Sequence, residues 1–235
     1  MAKNLIGSGM TASVYFEEGF AYKIYKPSHD IHAIEYEKRL TNLIKEQTSL
    51  NMPFFYDTNN DHELKMTYFR GETLAVHSIK RHYKNGIEDL IRLGDEIHSY
   101  HVKGLENAHD RFFETLSKSS LDENIKDKAL DYLASIKRMD NLLHLDLHFE
   151  NILFDGSSHF IIDWVNAKQG NPVLDLARSY VILREHAYRL SINYLKKLKS
   201  MGLESLDKAI FIMAALRFIE IGYNTKSLRI IELLK

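Results

Sequence analysis

The stretch His144-Leu145-Asp146-Leu147-His148-Phe149-Glu150-Asn151, followed shortly by Phe160-Ile161-Ile162-Asp163-Trp164, decides how this chain is read. Residues 152–154 and 159–162 are apolar, β-favouring runs separated by Asp155-Gly156-Ser157-Ser158, the turn chemistry of a four-residue hairpin loop. Pairing the two runs folds the chain back near position 157. Asn151, just before the first strand, and Asp163, at the end of the second, then reach the same open end. A side-chain amide oxygen and a carboxylate delivered side by side suit a hard cation such as Mg²⁺, which takes few protein ligands and fills its shell with phosphate and water. Asp146, on the loop leading into the hairpin, is close enough to accept a hydroxyl proton beside that metal. A base, a metal site and phosphates are nearly all that phosphoryl transfer needs, because its catalysis is mostly positioning and charge neutralisation.

This pattern resembles the catalytic loop and metal-binding strand of the protein-kinase-like superfamily, in its aminoglycoside and choline phosphotransferase branch rather than its eukaryotic protein-kinase branch. The resemblance extends over most of the chain and is strongest over residues 143–178, which hold His144-x-Asp146-x4-Asn151, then Ile162-Asp163-Trp164, then Gly170-Asn171-Pro172-Val173-Leu174-Asp175-Leu176-Ala177-Arg178. It implies that Asp146 is the catalytic base, that Asn151 and Asp163 are the metal ligands, and that Asp175 is a buried carboxylate bracing the catalytic loop. Leu145 stands where the family usually has Gly and Phe149 where it usually has Pro, while every charged role is filled.

The N-terminal end supplies the other half. Ile6-Gly7-Ser8-Gly9-Met10-Thr11-Ala12-Ser13-Val14 lies where a nucleotide-binding loop belongs. Gly7 and Gly9 let backbone N–H groups approach phosphates with no side chain in the way, although Ala12 replaces the third glycine of the kinase pattern. Glu18-Gly19 makes the turn to the next strand. There, alternation puts Ala21 and Lys23 on one face, the small residue leaving room for adenine and the ammonium reaching the phosphates, as the superfamily's Ala-x-Lys motif implies. Residues 34–46 have helical periodicity, and Glu37 shares a face with Leu40 and Ile44; since those two face the core, Glu37 rather than Glu35 is the expected partner of Lys23. Leu64 to Leu74 resembles the hinge strand and the exit into a second lobe, with backbone groups near Thr67 and Phe69 expected to hydrogen-bond adenine.

The expected architecture is α+β and two-lobed: residues 1–69 as a nucleotide-binding lobe with a small sheet and one helix, and residues 70–235 as a larger, mainly helical catalytic and acceptor-binding lobe. Residues 87–101, 125–137 and 206–223 show apolar spacing of three and four and read as core-packing helices. Residues 188–201, which carry Lys196, Lys197 and Lys199 and precede Gly202, read as an amphipathic surface helix rather than a membrane anchor.

Composition sets outer limits. At 235 residues and 45% hydrophobic content, the chain can bury one large core or two modest lobes. No run approaches a membrane span, and Met1-Ala2-Lys3-Asn4 lacks the apolar segment of a signal peptide. The absence of cysteine removes disulfides, a thiolate nucleophile and a cysteine zinc site, and fits a cytoplasmic location. A net charge of −1 argues against nucleic acid as a partner. There are 12 histidines, but no spacing places a third ligand beside His98 and His101 or beside His144 and His148, so zinc is not expected. No partner protein is implied.

The acceptor is bounded by one interval. The short segment between Trp164 and Asp175 has no room for the activation and peptide-docking segment of a eukaryotic-type protein kinase, and Leu145 occupies the place of the arginine that reads a phosphorylated activation loop. Both points favour ATP-dependent transfer to a small-molecule hydroxyl. A compact atypical kinase acting on protein Ser or Thr is the alternative, and a nucleotide-binding module without turnover is the third reading, which Lys23, Asp146, Asn151 and Asp163 together oppose. Residues 170–235 hold six acidic and eleven basic side chains, which counts against a polycationic acceptor.

Overall fold

The computed structural model describes residues 3–9, 11–222 and 228–235, and the chain divides into two compact units. The first comprises residues up to 81 together with 150–165; the second comprises 82–149 and 166–235.

In the first unit, β1 (Asn4–Ser8), β2 (Ala12–Glu17), β3 (Phe20–Tyr25), β4 (Phe55–Tyr56) and β5 (Glu63–Thr67) form an antiparallel sheet in the order β1-β2-β3-β5-β4. The β2–β3 turn is tight because Glu18 and Gly19 both have positive φ (48° and 85°), the backbone that matches the strand twist and that glycine adopts freely. One helix, α1 (Ile31–Gln47), starts where the Asp30 carboxylate accepts the His32 N–H, and turns Ile34, Glu37, Leu40, Thr41 and Ile44 inward. Ile34 packs with Ala12, Tyr25, Phe55 and Leu64. Asn42 pins the helix to β4, donating to the Phe55 carbonyl and accepting the Phe55 N–H at 2.8 and 2.7 Å.

A second sheet joins β6 (Glu72–Thr73) to the hairpin of β8 (Ile152–Phe154) and β9 (His159–Ile161), with Ile152 opposite Ile161. The Asp155 carboxylate closes the hairpin loop, accepting N–H bonds from Ser157 and Ser158 at 2.8 Å each, while Gly156 takes φ 104°. Gly71 is required by close approach: a Cβ there would lie 2.9 Å from the Phe154 carbonyl oxygen. The short helix α2 (Leu74–Lys80) follows, capped by Thr73.

The second unit is mainly helical. It contains α3 (Gly86–His98), α4 (Ala108–Ser117), α5 (Glu123–Ser135), α6 (Pro172–His186), α7 (Tyr188–Ser200), α8 (Leu206–Ile221) and the terminal turn α9 (Leu228–Ile231), with one small sheet of β7 (Asn141–Leu143) and β10 (Lys168–Gly170). Helix α6 opens at Asn171, whose side chain accepts the Val173 N–H, and carries Pro172 in its first turn; it is buried from Val173 to Leu183. Helix α8 packs against it and is buried from Ala209 to Leu216. Among the described residues no helix is long and apolar enough to cross a membrane.

Element bounds differ from expectation at a few places. Helix α3 stops at His98, so His101 lies in the following loop; there the Tyr100 carbonyl accepts the Leu142 N–H, so β7 takes up a backbone group that a longer helix would use. Strand β9 ends at Ile161, one residue early, and α5 spans Glu123–Ser135 in place of 125–137. The expected helix end at Tyr223 lies outside the described residues, as does Met10 of the glycine loop.

Candidate active site

The expected site residues fall into both units. In the first unit, Lys23 Nζ lies 2.6 Å from Glu37 Oε1. Glu37 is buried at 7% exposure, whereas Glu35 is exposed and pairs with His32 at 3.7 Å, so helix periodicity placed the acidic partner correctly. Tyr25, which the sequence reading passed over, donates its hydroxyl to Glu37 Oε2. The phenol's pKa is raised by burial first, then by Glu37, and also by the negative charge of Asp163. The signal available in the sequence was spacing: Tyr25 lies two residues beyond Lys23 on one strand, hence on the same face.

The Asn151 carbonyl accepts the Ile162 N–H at 3.0 Å, which puts residues 151 and 163 at the same open end of the β8–β9 hairpin. Asp163 takes φ 65°, a left-handed turn directly after the strand. Trp164 is buried and donates its indole N–H to the Ile161 carbonyl at 3.0 Å, fixing the chain on the far side of that turn. Asn51 straps the second strand, donating to the His159 carbonyl and accepting the Ile161 N–H at 2.6 and 2.9 Å.

Gly7 sits at an irregularity of the β1–β2 ladder, and Gly9 donates its N–H to the Ala12 carbonyl at 2.8 Å. A Cβ on either glycine would make only ordinary contacts, 3.7 Å to Val14 and 3.6 Å to the Ala12 oxygen, so the protein's own packing does not demand glycine there. Thr67 ends β5 with its N–H donated to the Phe54 carbonyl at 3.1 Å, so that group is already engaged. Phe69 follows and stacks its ring on Phe160, centroids 4.9 Å apart and planes 9° apart.

In the second unit, the loop around Asp146 is held by one face of α6. Asp175, 1% exposed, accepts the backbone N–H of His144 on Oδ2 at 2.9 Å and that of Leu145 on Oδ1 at 2.7 Å. His98 at the end of α3 adds a third bond to Oδ2 at 2.9 Å. One turn on, Arg178 donates to the Leu145 carbonyl at 3.3 Å and Ser179 to the Leu147 carbonyl at 2.8 Å. Residues 175, 178 and 179 have the i, i+3, i+4 spacing of one helix face, so a single element grips the loop at four backbone groups. Ser179 and His98 were not found from sequence; the spacing from Asp175 was the only trace of the former.

That grip explains how Leu145 replaces glycine. Its φ of 58° is left-handed, a conformation that costs an L-residue about 1–2 kcal/mol. Both its N–H and its C=O are fixed from α6, and its side chain is 5% exposed, so packing and hydrogen bonds offset the strain. The Asp146 N–H is donated to His144 Nδ1 at 3.2 Å. Burial works to raise the Asp146 carboxyl, but His148, 3.7 Å from Oδ2, with His144 and Arg178, outweighs it and holds the group below the usual carboxylate range. Asp175 is likewise lowered: burial opposes, and His98 and His144 prevail.

The sequence matches the profile of the phosphotransferase enzyme family over residues 4–195. Among solved structures, a thermostable mutant of aminoglycoside phosphotransferase APH(4)-Ia, in a ternary complex with ADP and hygromycin B, aligns with a TM-score of 0.71 at 13% identity, covering 99% of this chain and 93% of that one. ADP-bound aminoglycoside phosphotransferase APH(2'')-Ib gives 0.63 at 17% identity, covering 100% and 92%. At such identities the likeness speaks for the fold, which is that of the kinase-like phosphotransferases. A comparison with curated proteins returns no match.

Proposed function

The chain belongs to the phosphotransferase enzyme family and has its kinase-like fold, and from that premise we propose that it moves the γ-phosphoryl group of ATP to a hydroxyl of a small molecule. Asp146 is the base, and Asn151 and Asp163 hold Mg²⁺. The observation that carries the reading is in the first unit, where Lys23 pairs with the buried Glu37 at 2.6 Å on the same compact unit as the hairpin that ends in Asp163.

The donor set fits the metal. An amide oxygen and a carboxylate at one end of a hairpin are hard ligands, and among the described residues no group of three His, Asp or Glu side chains offers a softer or fuller cage. When bound, Mg²⁺ supplies neutralisation of phosphate charge. Lys23, paired with Glu37 at 2.6 Å, adds a cation for the phosphates. Asp146, held as a carboxylate by His148, takes the acceptor's proton as the acceptor oxygen bonds to phosphorus and the bridging O–P bond of ATP breaks, releasing ADP. In this reading residues 1–69 serve the nucleotide, residues 70–235 serve chemistry and acceptor, and the enzyme works in the cytoplasm, where ATP is supplied.

Between Trp164 and Asp175 the chain forms a short turn, β10, and the cap and first turn of α6, which favours a small acceptor over a docked peptide. The solved relatives named above include one that binds the antibiotic hygromycin B; the basic excess over residues 170–235 points this chain toward an acceptor of lower positive charge. Purified protein with labelled ATP and Mg²⁺ should label a component of a pooled metabolite set and leave a generic protein acceptor unlabelled; the reverse pattern would overturn the choice of acceptor. ATP with Mg²⁺ should also raise the melting temperature, and Asp163→Ala should remove the metal-dependent part of that rise. Equal stabilisation with and without Mg²⁺ would count against Asp163 as a ligand.

A further inference from the structure

The Lys23–Glu37 pair has a third member. A glutamate side chain carries three rotatable bonds, so a single contact to a flexible ammonium does not fix its carboxylate. In this protein the two oxygens are taken from two directions: Lys23 Nζ is 2.6 Å from Oε1, and the Tyr25 hydroxyl donates to Oε2. Tyr25 is itself immobile. It is 4% exposed, belongs to the core with Ala12, Ile34, Phe55 and Leu64, and lies flat against His29 with centroids 4.9 Å apart. Lys23 Nζ stands 5.1 Å from the centre of the same ring, so one aromatic side chain borders both members of the pair. The ring is anchored by packing, and among the described residues its hydroxyl bonds the glutamate.

We propose that Tyr25 is a positioning residue for nucleotide binding: its hydroxyl locks Glu37 in the rotamer that aims Lys23 at the phosphates. The inference rests on the reading of Lys23 as the phosphate-binding cation. Arginine or lysine at a partner site would be drawn to Glu37 as a competitor of Lys23, whereas a neutral phenol orients the carboxylate without cancelling its charge. Tyr25 thus acts through Glu37 and never touches the nucleotide.

Tyr25→Phe deletes one oxygen and keeps the ring. In the full chain, titration calorimetry with Mg²⁺-ATP should show affinity falling about 10-fold, the effect of one hydrogen bond to a charged group, while the melting temperature of the free protein stays close to the parent. Glu37→Ala should weaken Mg²⁺-ATP at least as much, and adding Tyr25→Phe to Glu37→Ala should change affinity by less than about 2-fold, because a residue that acts through Glu37 has nothing left to act on. If Lys23→Ala and Glu37→Ala weaken binding and Tyr25→Phe does not, the inference is wrong and the role of Lys23 stands. If the two losses simply add, or if the loss vanishes once scaled to the folded fraction, Tyr25 is packing and not positioning. If Lys23→Ala itself binds Mg²⁺-ATP as the parent does, the reading of Lys23 fails and the inference with it.

Discussion

The two sets of candidate site residues, one in each unit, are built on different principles. Around Lys23, Glu37 and Tyr25, side chains hold one another, and no backbone group of that cluster depends on them. Around Asp146, side chains hold backbone: Asp175, Arg178 and Ser179 bond four main-chain groups of residues 144–147. A side-chain network can lose a member and leave the chain where it was. A loop carrying a left-handed leucine cannot lose its brace without moving. Substitutions in the first set should therefore change ligand affinity with little effect on stability, and loss of a bracing side chain in the second should cost stability together with transfer.

The sharpest way to break this contrast is Asp175→Asn. The amide presents N–H groups toward donors, leaving buried N–H groups unpaired, and breaking a buried charged contact costs about 3–5 kcal/mol. Chemical denaturation should show a loss of that order, together with loss of transfer. Retained stability would mean that α6 does not carry the loop.

Leu145→Gly should be milder than its burial suggests. Truncating a buried leucine costs about 2–5 kcal/mol, and relieving the left-handed backbone offsets about 1–2 kcal/mol of that. A net loss below about 3 kcal/mol with transfer largely preserved is expected from denaturation and rate measurements; a larger loss would show that the φ of 58° carries little strain.

The smallest expected effect is in pH. His109 of α4 is buried, donates its Nε2–H to the Ile136 carbonyl at 3.0 Å, and has its pKa lowered by that burial. A histidine depressed in the folded state contributes stability that is present above its unfolded value of about 6.5 and is lost as pH falls through the folded value. Asp175, also depressed, adds a similar loss at lower pH. Both lie in the second unit. Melting temperature should thus fall as pH drops from 7 toward 5, and His109→Gln should flatten the fall; an unchanged slope would remove His109 from the account.

How much of this was legible in the sequence depended on range. The hairpin that brings Asn151 to Asp163 is encoded by Asp155-Gly156-Ser157-Ser158 and two short apolar runs, all local, and it forms with the expected pairing except that the second strand stops at Ile161. Glu37 was legible because Leu40 and Ile44 fix the inward face of α1. The brace at Asp175 followed from resemblance, but its companions did not. His98 meets Asp175 across 77 positions, a pairing that no local period announces. Tyr25 carries no signal of its own in the sequence beyond its spacing from Lys23, since only the turn of α1 brings Glu37 over its hydroxyl. Helices α2 and α4 are short, and their apolar spacing spans too few turns to stand out.

The central claim is that Asp146 takes the acceptor's proton and does not hold the nucleotide. Asp146→Asn keeps size and hydrogen bonding but cannot accept a proton, so it separates the two roles. With Mg²⁺-ATP and the acceptor identified by labelling, single-turnover transfer should fall by about 10²- to 10⁴-fold, the span for loss of a general base, while nucleotide affinity stays within a few-fold of the parent. Near-normal transfer with the asparagine in place would contradict the account.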